Sequence, residues 1–391
     1  MKIATIAMML SCMFCHADLV KDETSFTLTL YDALNKEADN LIFSPYSIFS
    51  CMSMSYLGAK EETLNQIKKG LHLSYSPSEL IAPFASLQNS LKSPIFNIAN
   101  AVWVDLGMEL LPSYKEDVKK AFDVDVQLVD FELIEQTREK INTWTSDRTK
   151  GKITELLEKG DITKETLLVL TNALYFEGSW AFPFNAKATK KAPFFLDSNK
   201  QIETNMMGQV AYFPYFETEE VQLVTLPISR EKSSNAQFAC VIMLPSKSST
   251  IEQLTKKITP DLFFEWISNS KRSYMDIKVP KFCLKKRFDL NDALKKTGIE
   301  LPFRAQADFS GIDGKKDLFI SKVVHEAYFC FDEKGVTAAA ATATAMAGTS
   351  FPSDEVTFFT ANRPFLFFLI ELNTKTVLFM GKLQQPETSD T

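Results

Sequence analysis

The segment FDEKGVTAAAATATAMAGTSFPSD, residues 331–354, differs in composition from the rest of the chain. No charged residue occurs between Lys334 and Asp354, and residues 336–348 are nearly all Ala, Thr, Gly or Val. In a strand, the even-numbered residues of 336–347 would face one side and the odd-numbered residues the other. Neither side carries a charge or a proline, so the segment can stay exposed as a loop or enter a sheet without burying a charge or losing ladder hydrogen bonds.

Three simpler structures for this segment fit less well. A helix is disfavoured by the Thr residues and by Val336. A flexible linker is disfavoured because an ordered hairpin follows and no second domain does. A fixed core strand would have few large side chains to anchor it. Insertion of a loop into a sheet is the interpretation that accounts for the small residues and for the absence of charge and proline together.

The N-terminus has the organisation of a secretory signal peptide. Lys2 precedes an apolar run over residues 3–14, and Cys15-His16-Ala17 follows. This order predicts a signal peptide over residues 1–17, a secreted, extracellular protein, and a single domain over residues 18–391. The apolar run is too short for a membrane span. A lipoprotein anchor at Cys12 is the minor alternative.

Composition limits the partners and cofactors. The 391-residue chain is 45% hydrophobic and has a net charge of −6 without a basic tract, which argues against nucleic acid and anionic membranes as partners. We expect no cofactor, no metal and a monomer. The cysteines outside the leader are far apart in apolar surroundings and are predicted to be buried free thiols: Cys51, Cys240, Cys283 and Cys330.

Helical patterns dominate the first half of the chain and strand patterns the second. Residues 25–38, 44–59, 60–71 and 136–151 read as helices. Residues 166–176, 236–245 and 274–282 read as strands, and residues 364–383 read as a hairpin that turns at Asn373-Thr374-Lys375. This order, without βαβ alternation, predicts an α+β fold with mixed or antiparallel sheets.

The sequence contains few candidate catalytic residues and no known catalytic motif. Outside the leader the only histidines are His72 and His325, and His325 lies in an apolar strand, as a hydrogen-bonded core residue would. No G-x-S-x-G, H-E-x-x-H, P-loop or dinucleotide-binding motif occurs. We therefore predict that the protein is not an enzyme.

Several motifs in order along the chain resemble those of the serpin family. The hinge-like DEKGVTAAAATATA is preceded by NLIFSPYSI, INTWTSDRTKGKI, LTNALYFEGSWAFPF, VPKF and ADFSGI, and is followed by VTFFTANRPFLFFLIELNTKTVLFMGKLQQP. The likeness extends from about residue 22 to residue 386. It implies three β-sheets, about nine α-helices and an exposed reactive-centre loop at about residues 333–354.

The resemblance also implies a mechanism of serine-protease inhibition. A protease attacks the loop and forms an acyl-enzyme, and residues 335–349 then insert into the main sheet and distort the attached protease. The family's spacing from the hinge Glu predicts cleavage at Thr349–Ser350. Cleavage next to Phe351 and at Met346–Ala347 are the alternatives. Thr349 favours elastase-like or subtilisin-like targets over trypsin-like ones.

The resemblance assigns further residues to the trap. Ser44, Ser47, Asn172 and His325 match a polar shutter under the strands that part, and Trp180 matches the aromatic residue in the breach, where insertion begins. Val336 departs from the usual Thr or Ser. The hinge residues that carry over are Glu333, Gly335, Val336, Thr337, Ala338, Ala339, Ala340 and Ala341.

Two other functions remain open at this point. One is a non-inhibitory serpin that acts as a binding, carrier or chaperone protein, and the other is an inhibitor of cysteine proteases. A heparin-type cofactor is not expected, because Lys92 is the only Lys or Arg in residues 74–93, the counterpart of the basic helix of some relatives.

Overall fold

A computed structural model of the chain describes residues 17–36, 39–197, 199–337 and 355–386. The predicted leader, apart from Ala17, and residues 338–354 of the predicted loop lie outside these ranges. The helices of the described part are α1 Ala17–Leu34, α2 Pro45–Gly58, α3 Glu61–Gly70, α4 Pro77–Leu91, α5 Pro112–Phe122, α6 Ile134–Arg148, α7 Ile251–Thr255, α8 Pro260–Ser268, α9 Asn291–Lys296 and α10 Ser310–Asp313.

Helix α2 forms the centre of the helical layer because it is buried on nearly every side. Its start is set by local chemistry. The Ser44 side chain accepts a hydrogen bond from the Ser47 backbone N–H, and Pro45 occupies the first helical position, where its missing N–H costs no helix hydrogen bond. No helix within the described ranges has the length and apolar character needed to cross a bilayer.

Sixteen strands form the sheets of the described part. They are β1 Leu41–Phe43, β2 Phe96–Asp105, β3 Gln127–Val129, β4 Leu168–Phe176, β5 Gly178–Ser179, β6 Lys190–Phe195, β7 Gln201–Glu217, β8 Val221–Pro227, β9 Phe238–Pro245, β10 Lys271–Pro280, β11 Phe282–Asp289, β12 Lys322–Phe331, β13 Gly335–Val336, β14 Thr357–Thr360, β15 Phe365–Glu371 and β16 Val377–Leu383.

The strands form two hydrogen-bonded sheets. The seven-stranded sheet has the order β3-β2-β4-β12-β13-β5, with β11 paired to β12. The nine-stranded sheet has the order β1-β16-β15-β9-β8-β7-β10-β14, with β6 paired to β7. Parallel and antiparallel pairs occur in both sheets, which confirms the predicted α+β class.

The number of sheets depends on β7. This 17-residue strand pairs with β6 and β10 along most of its length and with β8 at its end. It thereby joins two groups of strands within the nine-stranded sheet. The described strands therefore form two hydrogen-bonded sheets, whereas three were expected. The described part has ten helices rather than about nine, and the short helices α7 and α10 are among them.

The predicted C-terminal hairpin is present as the antiparallel pair β15–β16. Buried Glu371 closes its turn by accepting hydrogen bonds from the backbone N–H and hydroxyl of Thr374 and from the Asn373 side chain. Glu371 Oε1, which accepts the Asn373 side-chain amide, also accepts the Gln237 backbone N–H at 2.8 Å, and this bond connects the turn to the start of β9.

The prediction of four free thiols is half wrong. Cys51 and Cys240 are buried and free, as expected, but Cys283 and Cys330 form a disulfide. These two residues lie directly opposite each other on the antiparallel strands β11 and β12, with their Cα atoms 4.0 Å apart. The two cysteines are 47 residues apart in the sequence, and no local pattern indicated that they pair.

Candidate functional site

The first residues of the predicted hinge already lie inside the seven-stranded sheet. Gly335 and Val336 form β13 between β12 and β5, where Val336 is opposite Phe331 on one side and Gly178 on the other. Val336 is fully buried. A Cβ on Gly335 would lie 2.1 Å from the carbonyl oxygen of Gly178, so only glycine allows the two backbones to approach this closely.

Glu333 fixes the base of the hinge. Lys281 Nζ lies 3.0 Å from Glu333 Oε2, and the Thr189 hydroxyl donates to Glu333 Oε1 at 2.9 Å. Burial by itself would raise the pKa of Glu333, but the hydrogen bonds from Lys281, its own backbone and Thr189 lower that pKa below its usual value. The charged carboxylate therefore connects the hinge to Lys281, between β10 and β11, and to Thr189, just before β6.

Trp180 holds the turn that leads into the hinge. Its indole N–H donates to the Asp332 carbonyl oxygen and its backbone N–H to the Lys334 carbonyl oxygen, both at 2.8 Å. Its ring packs on Phe331 with the ring centroids 4.8 Å apart. The Asp332 carboxylate accepts the backbone N–H groups of Lys334 and Gly335, which tightens the same turn.

Strand pairing stops at Thr337. Its backbone N–H donates to the Cys330 carbonyl oxygen at 2.8 Å, as an antiparallel register continued from Val336 requires. Its φ of 53° is left-handed, however, and its side-chain hydroxyl accepts the Cys330 N–H at 3.3 Å. In a continued strand the Thr337 carbonyl would accept that bond instead.

Beyond Thr337, β4 and β12 pair directly with each other. Their parallel pairing joins Val169–Leu174 of β4 to Lys322–Ala327 of β12. A segment that continued β13 along β12 would have to separate these two strands. The residues that hold them together are therefore the ones that would control such an insertion.

Four residues assigned to a shutter lie in one buried network across this strand pair, which we call the shutter cluster. The Ser44 backbone N–H donates to His325 Nε2 at 3.0 Å, so the ring proton is on Nδ1, which faces the backbone and side-chain oxygens of Asn172. The Asn172 amide donates to Asn100 Oδ1 at 3.1 Å, and the Ser47 hydroxyl donates to the same oxygen at 2.7 Å.

The environment of His325 gives it a structural role. The side chain is fully buried, and burial lowers its pKa to about 3, so the ring is neutral at physiological pH. Its hydrogen bonds go to the Ser44 backbone and to Asn172. His72 contacts the Thr29 hydroxyl, which is not part of the shutter cluster. Neither described histidine contacts a serine or cysteine side chain as a catalytic base would.

Two contributors were not predicted from the sequence. Asn100 completes the shutter cluster and lies in the apolar strand segment NIANAVWV, where a polar residue between apolar neighbours is the signal that could have identified it. Lys281 lies in VPKF, a motif recognised for its order along the chain without a role for the lysine. The predicted Ala338, Ala339, Ala340 and Ala341 and the bond Thr349–Ser350 lie outside the described residues.

Comparison with known proteins gives consistent matches along most of the chain. A family profile described as Serpin (serine protease inhibitor) matches residues 21–386. The chain is 33% identical to human Serpin B11, with 92% of this chain and 97% of that protein aligned. It is 34% identical to human leukocyte elastase inhibitor over 93% and 98% of the two chains. The crystal structure of mouse protein-Z dependent protease inhibitor superposes with a TM-score of 0.82 at 27% identity, over 96% and 99% of the two chains.

Proposed function

The chain belongs to the serpin family, and we propose that it inhibits serine proteases as a single-use trap that is cleaved at Thr349–Ser350. The hinge geometry is the observation that carries this proposal. Gly335 and Val336 already occupy strand positions between β12 and β5. The small, uncharged residues that follow Val336 can extend that strand without burying a charge.

The chemical steps begin with attack of the protease serine hydroxyl on the carbonyl carbon of Thr349. The Thr349–Ser350 peptide bond breaks, the catalytic histidine of the protease protonates the departing Ser350 amine, and Thr349 remains as an ester on the enzyme. Water would normally hydrolyse this ester. Insertion of the segment up to Thr349, as a continuation of the strand that Gly335 and Val336 begin, carries the protease with it before hydrolysis and distorts its active site, which leaves the ester intact.

The shutter cluster supplies the second half of this mechanism. His325 on β12 and Asn172 on β4 hydrogen-bond across the strands that must separate. Because the network is buried, a strand that enters here has to satisfy each polar group again once the strands part. A stable network in the uncleaved state therefore opposes premature insertion.

Thr349 sets the class of target. A small β-branched side chain suits a shallow primary pocket, which favours elastase-like and subtilisin-like enzymes. Trypsin-like enzymes are disfavoured because no Lys or Arg occurs in residues 335–353. The relative named leukocyte elastase inhibitor is in keeping with this choice.

We further propose that the protein acts outside the cell as a monomer after cleavage behind Ala17. The apolar run over residues 3–14 supports export, and the Cys283–Cys330 disulfide is typical of an oxidising compartment. N-terminal sequencing of the exported protein should begin at Asp18. Recovery of the uncleaved chain from the cytosol alone would contradict this part of the proposal.

Incubation with pancreatic elastase, subtilisin, chymotrypsin and trypsin tests the proposed inhibition. We expect a complex stable in SDS with elastase or subtilisin, and release of a C-terminal peptide that begins with Ser350 by mass spectrometry. Loop cleavage without complex formation by any of these proteases would favour the non-inhibitory alternative. A complex that forms with papain alone would favour the cysteine-protease alternative.

A further inference from the structure

The Cys283–Cys330 disulfide lies beside the hinge and joins the two segments that hold it. On β12, the Cys330 carbonyl oxygen accepts the Thr337 N–H at 2.8 Å, and the Cys330 N–H donates to the Thr337 hydroxyl oxygen at 3.3 Å. On the β11 side, Lys281 lies two residues before Cys283, and its Nζ is 3.0 Å from Glu333 Oε2. The disulfide therefore connects the contacts that fix the hinge before and after β13.

The two bonded cysteines differ in their access to solvent. Cys283 is exposed, whereas Cys330 is only 7% exposed. When a thiolate attacks a disulfide, it bonds to the sulfur that it can reach, and the other sulfur leaves. An external thiolate therefore attacks Cys283 Sγ, and Cys330 Sγ is the leaving group.

Tyr328 is placed to stabilise that leaving group. Its hydroxyl oxygen lies 3.0 Å from Cys330 Sγ. The hydroxyl is the donor in this contact, because a disulfide sulfur carries no proton. Negative charge develops on Cys330 Sγ as the bond breaks, and a hydrogen bond to a charged acceptor is stronger than one to a neutral acceptor. The Tyr328 hydroxyl therefore favours departure of the Cys330 thiolate.

The free cysteines of the described part do not compete in this chemistry. Cys51 and Cys240 are fully buried. Burial also raises the pKa of both thiols, so that they stay protonated. Only the thiolate takes part in exchange. Within the described ranges, thiol chemistry in the folded protein is thus confined to the bonded pair on β11 and β12.

We infer that Cys283 is a site of thiol–disulfide exchange, through which an external thiol such as glutathione controls how firmly the hinge is held. The part that concerns trapping rests on the function proposed above. The thiolate bonds to Cys283 Sγ, the Cys283–Cys330 bond breaks, and its electron pair leaves on Cys330 Sγ, which then takes a proton from water. A dithiol completes the reduction, because its second thiolate closes the reagent's own disulfide and expels Cys283 as a thiolate. Two electrons thereby pass from the dithiol to the cysteine pair.

Opening the bond changes how β12 can move. Among the described strands, β11 pairs with β12 alone, so the intact bond makes the two strands move together. In the proposed mechanism, insertion beyond Val336 separates β12 from β4. Once Cys330 is released from β11, the hinge end of β12 can move without its neighbour, and this same residue supplies both hydrogen bonds that hold Thr337. The exchanged protein therefore inserts its hinge more readily before any cleavage and loses inhibitory activity.

The exchange site can be tested without a protease. Folded wild type is incubated with glutathione, the remaining thiols are alkylated in denaturant, and the modified peptides are mapped by mass spectrometry. We expect glutathione on Cys283 and the alkyl group on Cys330, Cys51 and Cys240. Glutathione on Cys330, or no glutathione on either bonded cysteine, would overturn the exchange site.

The leaving-group role is tested with Tyr328→Phe, which keeps the ring and removes the hydroxyl. We expect the rate constant of exchange with glutathione to fall about threefold, because the departing Cys330 thiolate loses its donor. Tyr274→Phe is the matched control, since Tyr274 is also partly exposed but lies on β10 in the other sheet. Its rate constant should equal that of wild type. An equal rate constant in Tyr328→Phe would overturn the role of this hydroxyl.

The effect on the hinge is tested by storing wild type and Cys283→Ser/Cys330→Ser with and without glutathione. We expect wild type to lose activity against the protease that it traps about fivefold faster when the bond is open. The double variant should lose activity at the faster rate in both conditions. The inactive chain should be uncleaved and monomeric, which distinguishes insertion from proteolysis and aggregation. Equal rates with the bond open and closed would overturn control of the hinge and leave the proposed inhibition standing.

Hydrogen exchange keeps this test separate from the proposed function. The Thr337 amide donates to the Cys330 carbonyl oxygen, so its exchange with solvent reports on the hinge in the absence of any protease. We expect this amide to exchange faster in glutathione-treated wild type and in the double variant than in untreated wild type. Equal protection in all three would overturn control of the hinge. Absence of trapping by untreated wild type with every protease would instead contradict the proposed function.

Discussion

The side-chain hydroxyl of Thr337 accepts the hydrogen bond from the Cys330 backbone N–H that a continued strand would give to the Thr337 carbonyl. The backbone of Thr337 adopts a left-handed φ of 53° to make this exchange, a conformation that costs a β-branched residue about 1–2 kcal/mol. Strand β13 therefore ends at a defined stop at Thr337, and in the proposed mechanism further insertion would remove the strain at this residue.

Replacement of Thr337 by valine tests this stop. The Thr337→Val variant keeps the shape and the strained backbone but leaves the buried Cys330 N–H without its acceptor. We expect the uncleaved protein to lose about 1–3 kcal/mol of stability toward unfolding. The loop-cleaved protein is the internal control: there the backbone carbonyl can accept the bond, so its stability should change little. Equal losses in the two forms would contradict the assignment.

An arginine at Ala340 should abolish trapping. Val336 is buried, and in a continued strand Ala338 and Ala340 would face the same side. The Ala340→Arg variant would thus bury an unpaired charge on insertion, and we expect cleavage of the loop with little or no complex stable in SDS. Ala341→Arg, on the opposite side of the strand, is the matched control and should trap better. Equal trapping by Ala340→Arg and wild type would contradict the insertion mechanism.

His325 should make the uncleaved protein less stable in acid. Its pKa is about 3 in the folded protein, because burial disfavours the charged ring, and 6.5 is the ordinary value for the unfolded chain. Between these values the unfolded state binds the extra proton, so the stability that is present above pH 6.5 falls as pH decreases, by about 2 kcal/mol between pH 6.5 and pH 5.

Urea unfolding at several pH values should show this loss, and His325→Gln should reduce the slope because glutamine can both donate and accept without titrating. His72→Gln is the control, since His72 is less buried than His325. An unchanged slope in His325→Gln would show that other groups cause the acid sensitivity.

Glu23 should give the folding stability the opposite dependence on pH. Burial raises its pKa to about 8 from an ordinary value of 4.5, against hydrogen bonds from the Val377 backbone and the Thr27 hydroxyl. The folded state holds a proton that the unfolded state has released, so the stability present below pH 4.5 is lost as pH rises toward 8.

Glu23→Gln should therefore stabilise the protein by about 1–4 kcal/mol at pH 8 and by much less at pH 5. Asp18→Asn, an exposed position on the same helix, should have little effect at either pH. A Glu23→Gln variant that is equally stabilised at both pH values would contradict a neutral, buried carboxyl.

The disulfide can be checked by counting thiols. In the chain without residues 1–17, two thiols should react under denaturing, non-reducing conditions and four after reduction. The bond closes a 47-residue separation, for which loop entropy predicts a contribution of about 4 kcal/mol. Dithiothreitol should lower the melting temperature of wild type and leave that of Cys283→Ser/Cys330→Ser unchanged. Four reactive thiols before reduction would exclude the bond.

The features of the fold and site that could be predicted from the sequence are those set by residues close together in the chain. The hinge was visible because Glu333, Gly335 and the small residues after them are close together in the sequence, and the helix predicted over residues 44–59 is likewise a local signal. The contact between Gly335 and Gly178, the Cys283–Cys330 bond and the joining of sheets through β7 depend on strand pairings between distant segments. Such pairings follow from how the sheets assemble, which periodicity along the chain does not encode.

The two residues of β13 also bear on how fast a cleaved loop can insert. Ordered structures form slowly when the first contact has to be found and quickly when later contacts only extend it. With Gly335 and Val336 already paired to their neighbours, insertion begins past its nucleation step and proceeds as propagation. In the proposed mechanism, whether trapping is faster than ester hydrolysis then depends on the residues that are still to be added to the strand, and not on the formation of the first pairing.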